Sequence, residues 1–241
     1  QQEMASPNEI ASNEFRQIIY GKDHLLSNNH LGTEASVKEI ELEDLKQYYQ
    51  KNLSPHLASF LVAGDIDKTR AVSAVRNITR DWETKTVDLP EITVPSAPEN
   101  SVVYFYDVPG AKQSVFMFGY PALAETDADF YPAQIMNYRL GGGGFASQLT
   151  QELREGKGYT YGIRSSFAGS TIPGPFLISS GVRSNVTYEA AELVTQILED
   201  YPEKFNSNDL EVTKGYMIKS TARKFETLGS KLGMLNDISK Y

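Results

Sequence analysis

Cysteine is absent from this sequence. Disulfide frameworks and thiolate zinc sites are therefore excluded, and cysteine usage says nothing about the redox compartment. Histidine is also scarce, since only His24, His30 and His56 are present. None of the three belongs to a His-x-x-Glu-His or His-Glu-x-x-His pattern, which is the usual source of a catalytic zinc site on a helix. The residues therefore predict that this chain alone holds no catalytic zinc.

Long hydrophobic runs and basic clusters are missing as well. No apolar run approaches the roughly 20 residues that a membrane-spanning helix needs. The formal net charge is −8, and the Lys and Arg residues are scattered along the chain, whereas nucleic-acid binding requires a clustered basic face. We therefore expect neither membrane insertion nor nucleic-acid binding. The composition, with 40% hydrophobic and 22% charged residues, is typical of a globular chain that buries a core.

Proline is concentrated in one place, because residues 88–98 contain Pro90, Pro95 and Pro98. Such a segment is typical of an extended linker. We therefore divide the chain into residues 1–88, a linker at 89–98, and residues 99–241. The chain starts at Gln1 and stops inside or just after a helical pattern at Tyr241. We expect it to be part of a longer protein, with its second domain truncated at the C-terminal end.

Short strand patterns alternate with helical patterns along the chain. Apolar runs and period-two alternation predict strands near residues 57–63, 102–106, 114–120, 159–167 and 176–182. Apolar residues at helical spacing fill most of the segments between them. This order predicts the α+β class, with mixed, mostly antiparallel sheets flanked by helices.

The richest segment is residues 140–162, which reads LGGGGFASQLTQELREGKGYTYG. A phosphate-binding P-loop needs Lys and Ser or Thr directly after its glycines, but Phe145 and Ala146 follow here. The glycine run is therefore expected to end a helix and to let the chain reverse so that two helices pack closely. An unrelated module that binds an anionic ligand at these glycines is the alternative that we disfavour.

Arg154 and Tyr161 stand out in the same segment, on either side of a second glycine break. A guanidinium and a phenol are both hydrogen-bond donors, and together they suit a peptide carbonyl or a developing oxyanion. The alternative is purely structural: Arg154 pairs with Glu152 or Glu155, and Tyr161 sits in the core with its hydroxyl at the edge. Composition alone favours this structural alternative.

The pattern Leu-Gly-Gly-Gly…Leu-Arg-Glu-x-x-Gly-x-x-Tyr favours a functional role for Arg154 and Tyr161 over the structural alternative. It resembles the C-terminal lobe of the insulinase/pitrilysin-type zinc peptidases, which share a fold with mitochondrial processing peptidase. Further motifs occur in the order and spacing usual for that family, namely LGTEASV from residue 31, LEDL from residue 42 and LVAGDI from residue 61. The resemblance covers most of the chain, from about residue 15 onward.

The resemblance implies a fold and a division of labour. In such enzymes each half has two related α+β domains. One half carries zinc on an inverted His-x-x-Glu-His helix, and the other closes over it and contributes an Arg and a Tyr seven residues apart. Arg154 and Tyr161 have this spacing. By resemblance they would bind the substrate backbone and support the tetrahedral intermediate, and Tyr159 would line the same groove. No catalytic or metal-binding residue is implied within this chain.

The zinc helix of the family is missing here. It either lies upstream of Gln1, or this chain is the non-catalytic half, and the Arg/Tyr pair favours the second interpretation. The predicted function is thus the substrate-clamping, zinc-free part of a zinc metalloendopeptidase, inactive by itself, with Zn²⁺ in the parent enzyme. Its partners would be a peptide substrate and a zinc-bearing half in the same chain or a partner subunit. A non-catalytic scaffold of the same fold is the alternative. The sequence gives no compartment, and the family suggests the periplasm or envelope of a bacterium.

Overall fold

A computed structural model describes residues 6–94, 96–223 and 225–240. Their contacts group residues up to 28 with residues 93–217 in a first compact unit, and residues 29–92 with those from 218 onward in a second. The helices are α1 (Pro7–Tyr20), α2 (Glu34–Glu39), α3 (Leu42–Asn52), α4 (Lys68–Thr79), α5 (Phe130–Asn137), α6 (Gln148–Thr150), α7 (Thr187–Lys204), α8 (Ser207–Arg223) and α9 (Leu228–Lys240). Within the described ranges, no helix is both long enough and apolar enough to cross a bilayer.

The first unit is built on an antiparallel sheet. Its strands are β1 (Gln113–Pro121), β2 (Thr160–Phe167) and β3 (Pro175–Arg183), in the spatial order β1–β3–β2. Central strand β3 pairs along its whole length with β1, from Gln113 opposite Arg183 to Pro121 opposite Pro175. Helices flank this sheet, so the predicted α+β class is confirmed.

The core of the first unit lies between the sheet and helices α6 and α7. Its buried members include Leu149, Leu153, Ile163, Ile178, Val182, Ala190 and Val194. Leu149 and Leu153 are one helical turn apart and both point into this core. The helical segment that follows the glycine run is therefore locked in rotation, which leaves Arg154 on its accessible side.

Helix ends follow the signals in the sequence. Pro7 occupies the first turn of α1, where a missing backbone N–H costs nothing, and Gly21 ends that helix with φ 90°. In the second unit, the backbone N–H of Arg70 donates to the carboxylate of Asp67 at 2.9 Å, so Asp67 caps α4.

Two predicted strands are wrong. Residues 57–63 and 102–106 have no regular secondary structure beyond a short 3₁₀ turn that ends at Leu57. Val103 and Phe105 are 93% and 85% exposed. The apolar composition of both segments suits a strand, but a strand also needs a neighbouring backbone to pair with. Within the described ranges neither segment pairs with another strand.

The two compact units divide the chain differently from the boundaries 1–88, 89–98 and 99–241. Helix α1 belongs with the sheet, because its Phe15 ring packs directly against Gly119 of β1. A Cβ atom added to Gly119 would lie only 2.5 Å from the Phe15 Cζ atom. Helix α9 groups instead with residues 29–92. Each compact unit therefore combines segments that are far apart in the sequence. The boundaries drawn from the proline-rich segment stay a prediction, and residues 1–5, Pro95, Lys224 and Tyr241 within them lie outside the described residues.

Helix α8 carries a buried hydroxyl that offers a simple stability test. Thr213 is fully buried, and its Oγ1 atom has no hydrogen-bond partner among the described residues. We expect Thr213→Val to stabilise the protein by about 1 kcal/mol, because it removes an unsatisfied polar atom at nearly constant shape. Thermal melting checks this, with Thr195→Val, at an exposed site of α7, as the neutral control. A loss of stability in Thr213→Val would contradict the assignment of an unpaired hydroxyl.

Candidate functional site

The glycine run ends helix α5 and brings it against β2. A π-helical turn, Tyr138–Gly142, continues α5, and the N–H of Gly143 closes it on the carbonyl of Tyr138 at 2.8 Å. Gly144 then adopts φ +58°, in the left-handed region that favours glycine. The expected role of the run as a helix terminus is therefore confirmed.

Close packing at Gly141 depends on the absence of a side chain. A Cβ there would lie 2.7 Å from the backbone N of Ser165 on β2. The neighbouring contact is polar and buried: Asn137 Nδ2 donates to the Ser165 carbonyl at 3.0 Å, and the Ser165 hydroxyl donates to Asn137 Oδ1. The glycine turn thus sets the distance between the end of α5 and β2.

Two buried hydroxyl groups hold the next helical segment, and one of them bonds the same strand. The Ser147 hydroxyl, directly before α6, donates to the Gly144 carbonyl at 2.7 Å. One turn later, Thr150 Oγ1 donates to the Ile163 carbonyl of β2 at 3.3 Å. Both hydroxyl-bearing residues are buried. The helical segment that carries Arg154 is therefore fixed to β2 by the Thr150 side-chain bond as well as by apolar packing.

Arg154 lies in a π-helical turn, Gln151–Gly156, that continues α6. Its side chain is 36% exposed, and its Nε atom lies 3.5 Å from a carboxylate oxygen of Glu155. The guanidinium carbon lies 4.5 Å from the centre of the Phe145 ring, a cation–π contact. The structural alternative for Arg154, pairing with Glu155, is thus present, but a surface ion pair of this kind contributes little stability. Part of the Arg154 side chain stays accessible to a ligand.

Gly158 turns the chain from this helical segment into β2. It adopts φ +61°, and its N–H donates to the Arg154 carbonyl at 3.0 Å. The next N–H, of Tyr159, donates to the Leu153 carbonyl at 2.9 Å. These bonds satisfy carbonyls that a helix end would otherwise leave free. They also connect the backbone of Arg154 directly to the start of the strand that carries Tyr161.

Tyr161 is 87% exposed near the start of β2. The alternative in which this ring sits in the core is therefore excluded. The strand is irregular at this point: Thr160 lies opposite Val182 and Ile163 lies opposite Ser180, so Tyr161 and Gly162 face a single residue of β3. This arrangement is a β-bulge, a feature that re-aims a side chain.

Tyr159 differs from Tyr161 in its environment. Strand β2 begins at Thr160, and the half-buried Tyr159 side chain packs against the hydrophobic core. The Gly158 turn places Tyr159 just before the strand, and the bulge interrupts the strand's alternation directly after it. A contribution of Tyr159 to substrate binding stays a prediction.

The described residues do not fit a zinc ion. Among them, no three His, Asp or Glu side chains lie close enough together to hold a metal. His24 is engaged in local bonds: its Nδ1 accepts the Leu26 N–H at 3.1 Å, and its Nε2 lies 2.8 Å from the Thr93 carbonyl. Since Nδ1 accepts, Nε2 carries the proton and donates to Thr93.

Two supporting features were not predicted from the sequence. Phe145 beneath the Arg154 guanidinium follows no helical spacing, since nine positions separate the two residues. The bulge has a local signal, because a glycine such as Gly162 inside an alternating strand pattern is typical of bulges. That signal was available in the sequence and was missed.

Comparison with known proteins identifies curated relatives of this chain. The chain is 25% identical over 239 residues to an uncharacterized zinc protease of Streptomyces coelicolor, covering 97% of this chain and 51% of that protein. It is also 25% identical over 212 residues to the non-peptidase homolog YmxG of Helicobacter pylori, covering 86% of this chain and 48% of that protein. The chain thus spans about half the length of these curated relatives.

A solved structure and a family model identify the same kind of domain. A peptidase M16 inactive domain from Pseudomonas fluorescens has the same fold, with a TM-score of 0.85 and 24% identity over 97% of this chain and 55% of that one. The expected relationship to the insulinase/pitrilysin-type peptidases is therefore confirmed. Since the family described as "Peptidase M16 inactive domain" matches residues 39–216, well over half of the sequence, the chain belongs to that family.

Proposed function

We propose that this chain is the zinc-free, substrate-clamping part of a zinc metalloendopeptidase, and that Arg154 and Tyr161 bind the peptide backbone. One observation carries the proposal: the exposed Tyr161 ring and the partly exposed Arg154 side chain lie at one helix–strand corner, which is joined by the Leu153–Tyr159 and Arg154–Gly158 backbone bonds. Family membership adds support, because the curated relative from Streptomyces coelicolor is named a zinc protease.

The chemistry follows from the two donor groups. Arg154 offers several N–H donors in a planar fork, and Tyr161 offers one O–H. Donors held in place before the reaction stabilise the negative charge that develops on a peptide carbonyl oxygen. Phe145 supports one face of the guanidinium. Zinc in the other half of the enzyme would activate the attacking water, while the residues of this chain bind and orient the peptide.

Exposed apolar segments support the existence of a partner half. Residues 102–106 have the composition of a strand, yet Val103 and Phe105 are almost fully exposed. Residues 57–63, in the second unit, are likewise strand-like, with Phe60 about half exposed. Apolar surface of this kind is typical of contact sites. Because the curated relatives are about twice as long as this chain, we assign these segments to contacts with the zinc-bearing half.

A second candidate function is a non-catalytic scaffold. The observation in its favour is the name of the relative from Helicobacter pylori, a non-peptidase homolog that is as similar to this chain as the named zinc protease. A scaffold would keep the fold and the partner contacts without using Arg154 and Tyr161 on a peptide.

Reconstitution separates these functions. This chain and the zinc-bearing half, prepared as separate polypeptides, are assayed with a fluorogenic peptide mixture, alone and combined. We expect measurable hydrolysis only from the combination, because donors and metal lie on different polypeptides. Size-exclusion chromatography run in parallel reports whether the two associate.

Two results would contradict the clamp. A stable complex without peptide hydrolysis would instead support the scaffold. Stoichiometric zinc bound by this chain alone, together with hydrolysis, would overturn the division between a zinc half and a clamping half.

A further inference from the structure

The β-bulge beneath Tyr161 is held by side chains. Between Thr160 and Ile163, strand β2 contains two residues, whereas the facing strand contains only Gly181 between Val182 and Ser180. An extra residue in one strand disrupts the regular ladder and leaves backbone groups in need of other partners. Such groups are costly to leave unpaired wherever water does not reach them, and the hydrogen bonds of Gly162 at this bulge are partly buried.

Two buried hydroxyls supply these partners. Thr160 Oγ1 accepts the Gly162 N–H at 3.0 Å and donates its own proton to the Gly181 carbonyl at 2.7 Å. The Ser180 hydroxyl lies 3.0 Å from the Gly162 carbonyl, to which it can donate, and 2.9 Å from Thr160 Oγ1. Thr160 and Ser180 are both buried. The two side chains therefore bond the backbone of both strands at the bulge.

We infer that Thr160 and Ser180 are positioning residues, whose hydroxyls hold the bulge and thereby keep the Tyr161 ring directed outward at the Arg154 corner. The physical reason is the period of two in a strand. If the bulge is lost, the pairing shifts by one residue, and the side chains beyond it exchange faces. Ile163 is fully buried on the core side and stays there. A shift in pairing must therefore be absorbed by residues 160–162, which include Tyr161.

The expected effect of losing these hydroxyls on peptide cleavage rests on the proposed function, but their effect on the orientation of the Tyr161 ring does not. The experiment therefore measures ring orientation and cleavage separately. 3-Fluorotyrosine is incorporated at position 161 of the complete protein, and ¹⁹F NMR reports the surroundings of that ring. Hydrogen exchange measured by mass spectrometry reports the protection of the Gly162 amide, and kcat/KM is measured with a peptide substrate.

The informative variants are Thr160→Val, which keeps the side-chain shape but removes the hydroxyl, and Thr160→Ser, which keeps the hydroxyl. Ser180→Ala removes the second hydroxyl and serves if Thr160→Val fails to fold. Ser166→Ala, at an exposed position of β2, is the control that should change nothing.

For Thr160→Val we expect a shifted or broadened fluorine signal, and Gly162 exchange that is about tenfold faster, the factor that corresponds to one lost hydrogen bond. The value of kcat/KM should fall about tenfold, and no further when Tyr161→Phe is already present, because both changes act through one group. Thr160→Ser should restore wild-type behaviour, which a general packing defect at this site would not predict.

An unchanged fluorine signal and unchanged Gly162 exchange in both Thr160→Val and Ser180→Ala would overturn the positioning role. A different result separates the two proposals: if Tyr161→Phe leaves cleavage unaffected while Thr160→Val still moves the fluorine signal, the clamp function fails and the positioning role stands.

Discussion

Replacing Arg154 by alanine in the complete protein, that is, this chain with its zinc-bearing half, is expected to lower kcat/KM for peptide hydrolysis about a hundredfold or more. The estimate follows from enzymes in which one preorganised donor to a developing oxyanion has been removed. Arg154→Lys should recover only part of the loss, because an ammonium keeps the charge but not the planar fork of donors.

A matched control exists on the neighbouring strand. Arg164 of β2 is exposed, whereas Arg154 is partly buried, and Arg164→Ala removes the same charge and should leave kcat/KM near the wild-type value. Protein stability should change little in Arg154→Ala, because an exposed cation–π contact contributes about 0.5–1 kcal/mol. Equal kcat/KM in the wild type, Arg154→Ala and Arg164→Ala would contradict the substrate role of Arg154.

Gly141→Ala is expected to destabilise the first unit by about 3 kcal/mol, the upper part of the usual range for overpacking. The added Cβ would lie 2.7 Å from the Ser165 backbone N and 2.8 Å from Leu149 Cδ1. Ser165 cannot move away without disturbing β2, and Leu149 is fully buried in the core. The glycine run therefore acts through close packing, and a methyl group is enough to separate the helix from the strand.

The same substitution at Gly215 is the control. Gly215 lies within α8, where an added Cβ meets no atom within 4 Å, so Gly215→Ala should stabilise the helix by about 0.5–1 kcal/mol. Urea unfolding followed by circular dichroism compares the two variants, because Trp82, whose fluorescence would be the alternative signal, belongs to the other unit. Similar stabilities for both variants would show that the turn has room for a side chain.

Local signals were sufficient for many parts of the fold. The limits of α1 follow from Pro7 and Gly21, and the cap of α4 follows from Asp67. The two wrongly predicted strands depend on more than local signals. Residues 57–63 and 102–106 have strand-like composition, but pairing depends on a second segment brought close by the rest of the fold. Composition alone cannot supply that information.

For the candidate site, the sequence determined which donors are present and how far apart they lie. Arg154 and Tyr161 are joined by a short segment containing Gly158, and these local features predict one helix–strand corner. The tertiary structure decided which side chains are accessible. Leu149 and Leu153 bury one side of the helical segment, and the bulge at Tyr161 and Gly162 depends on Thr160 and on Ser180 from another strand. Exposure and strand register arise from contacts between distant residues, so they could not be obtained from spacing along the chain.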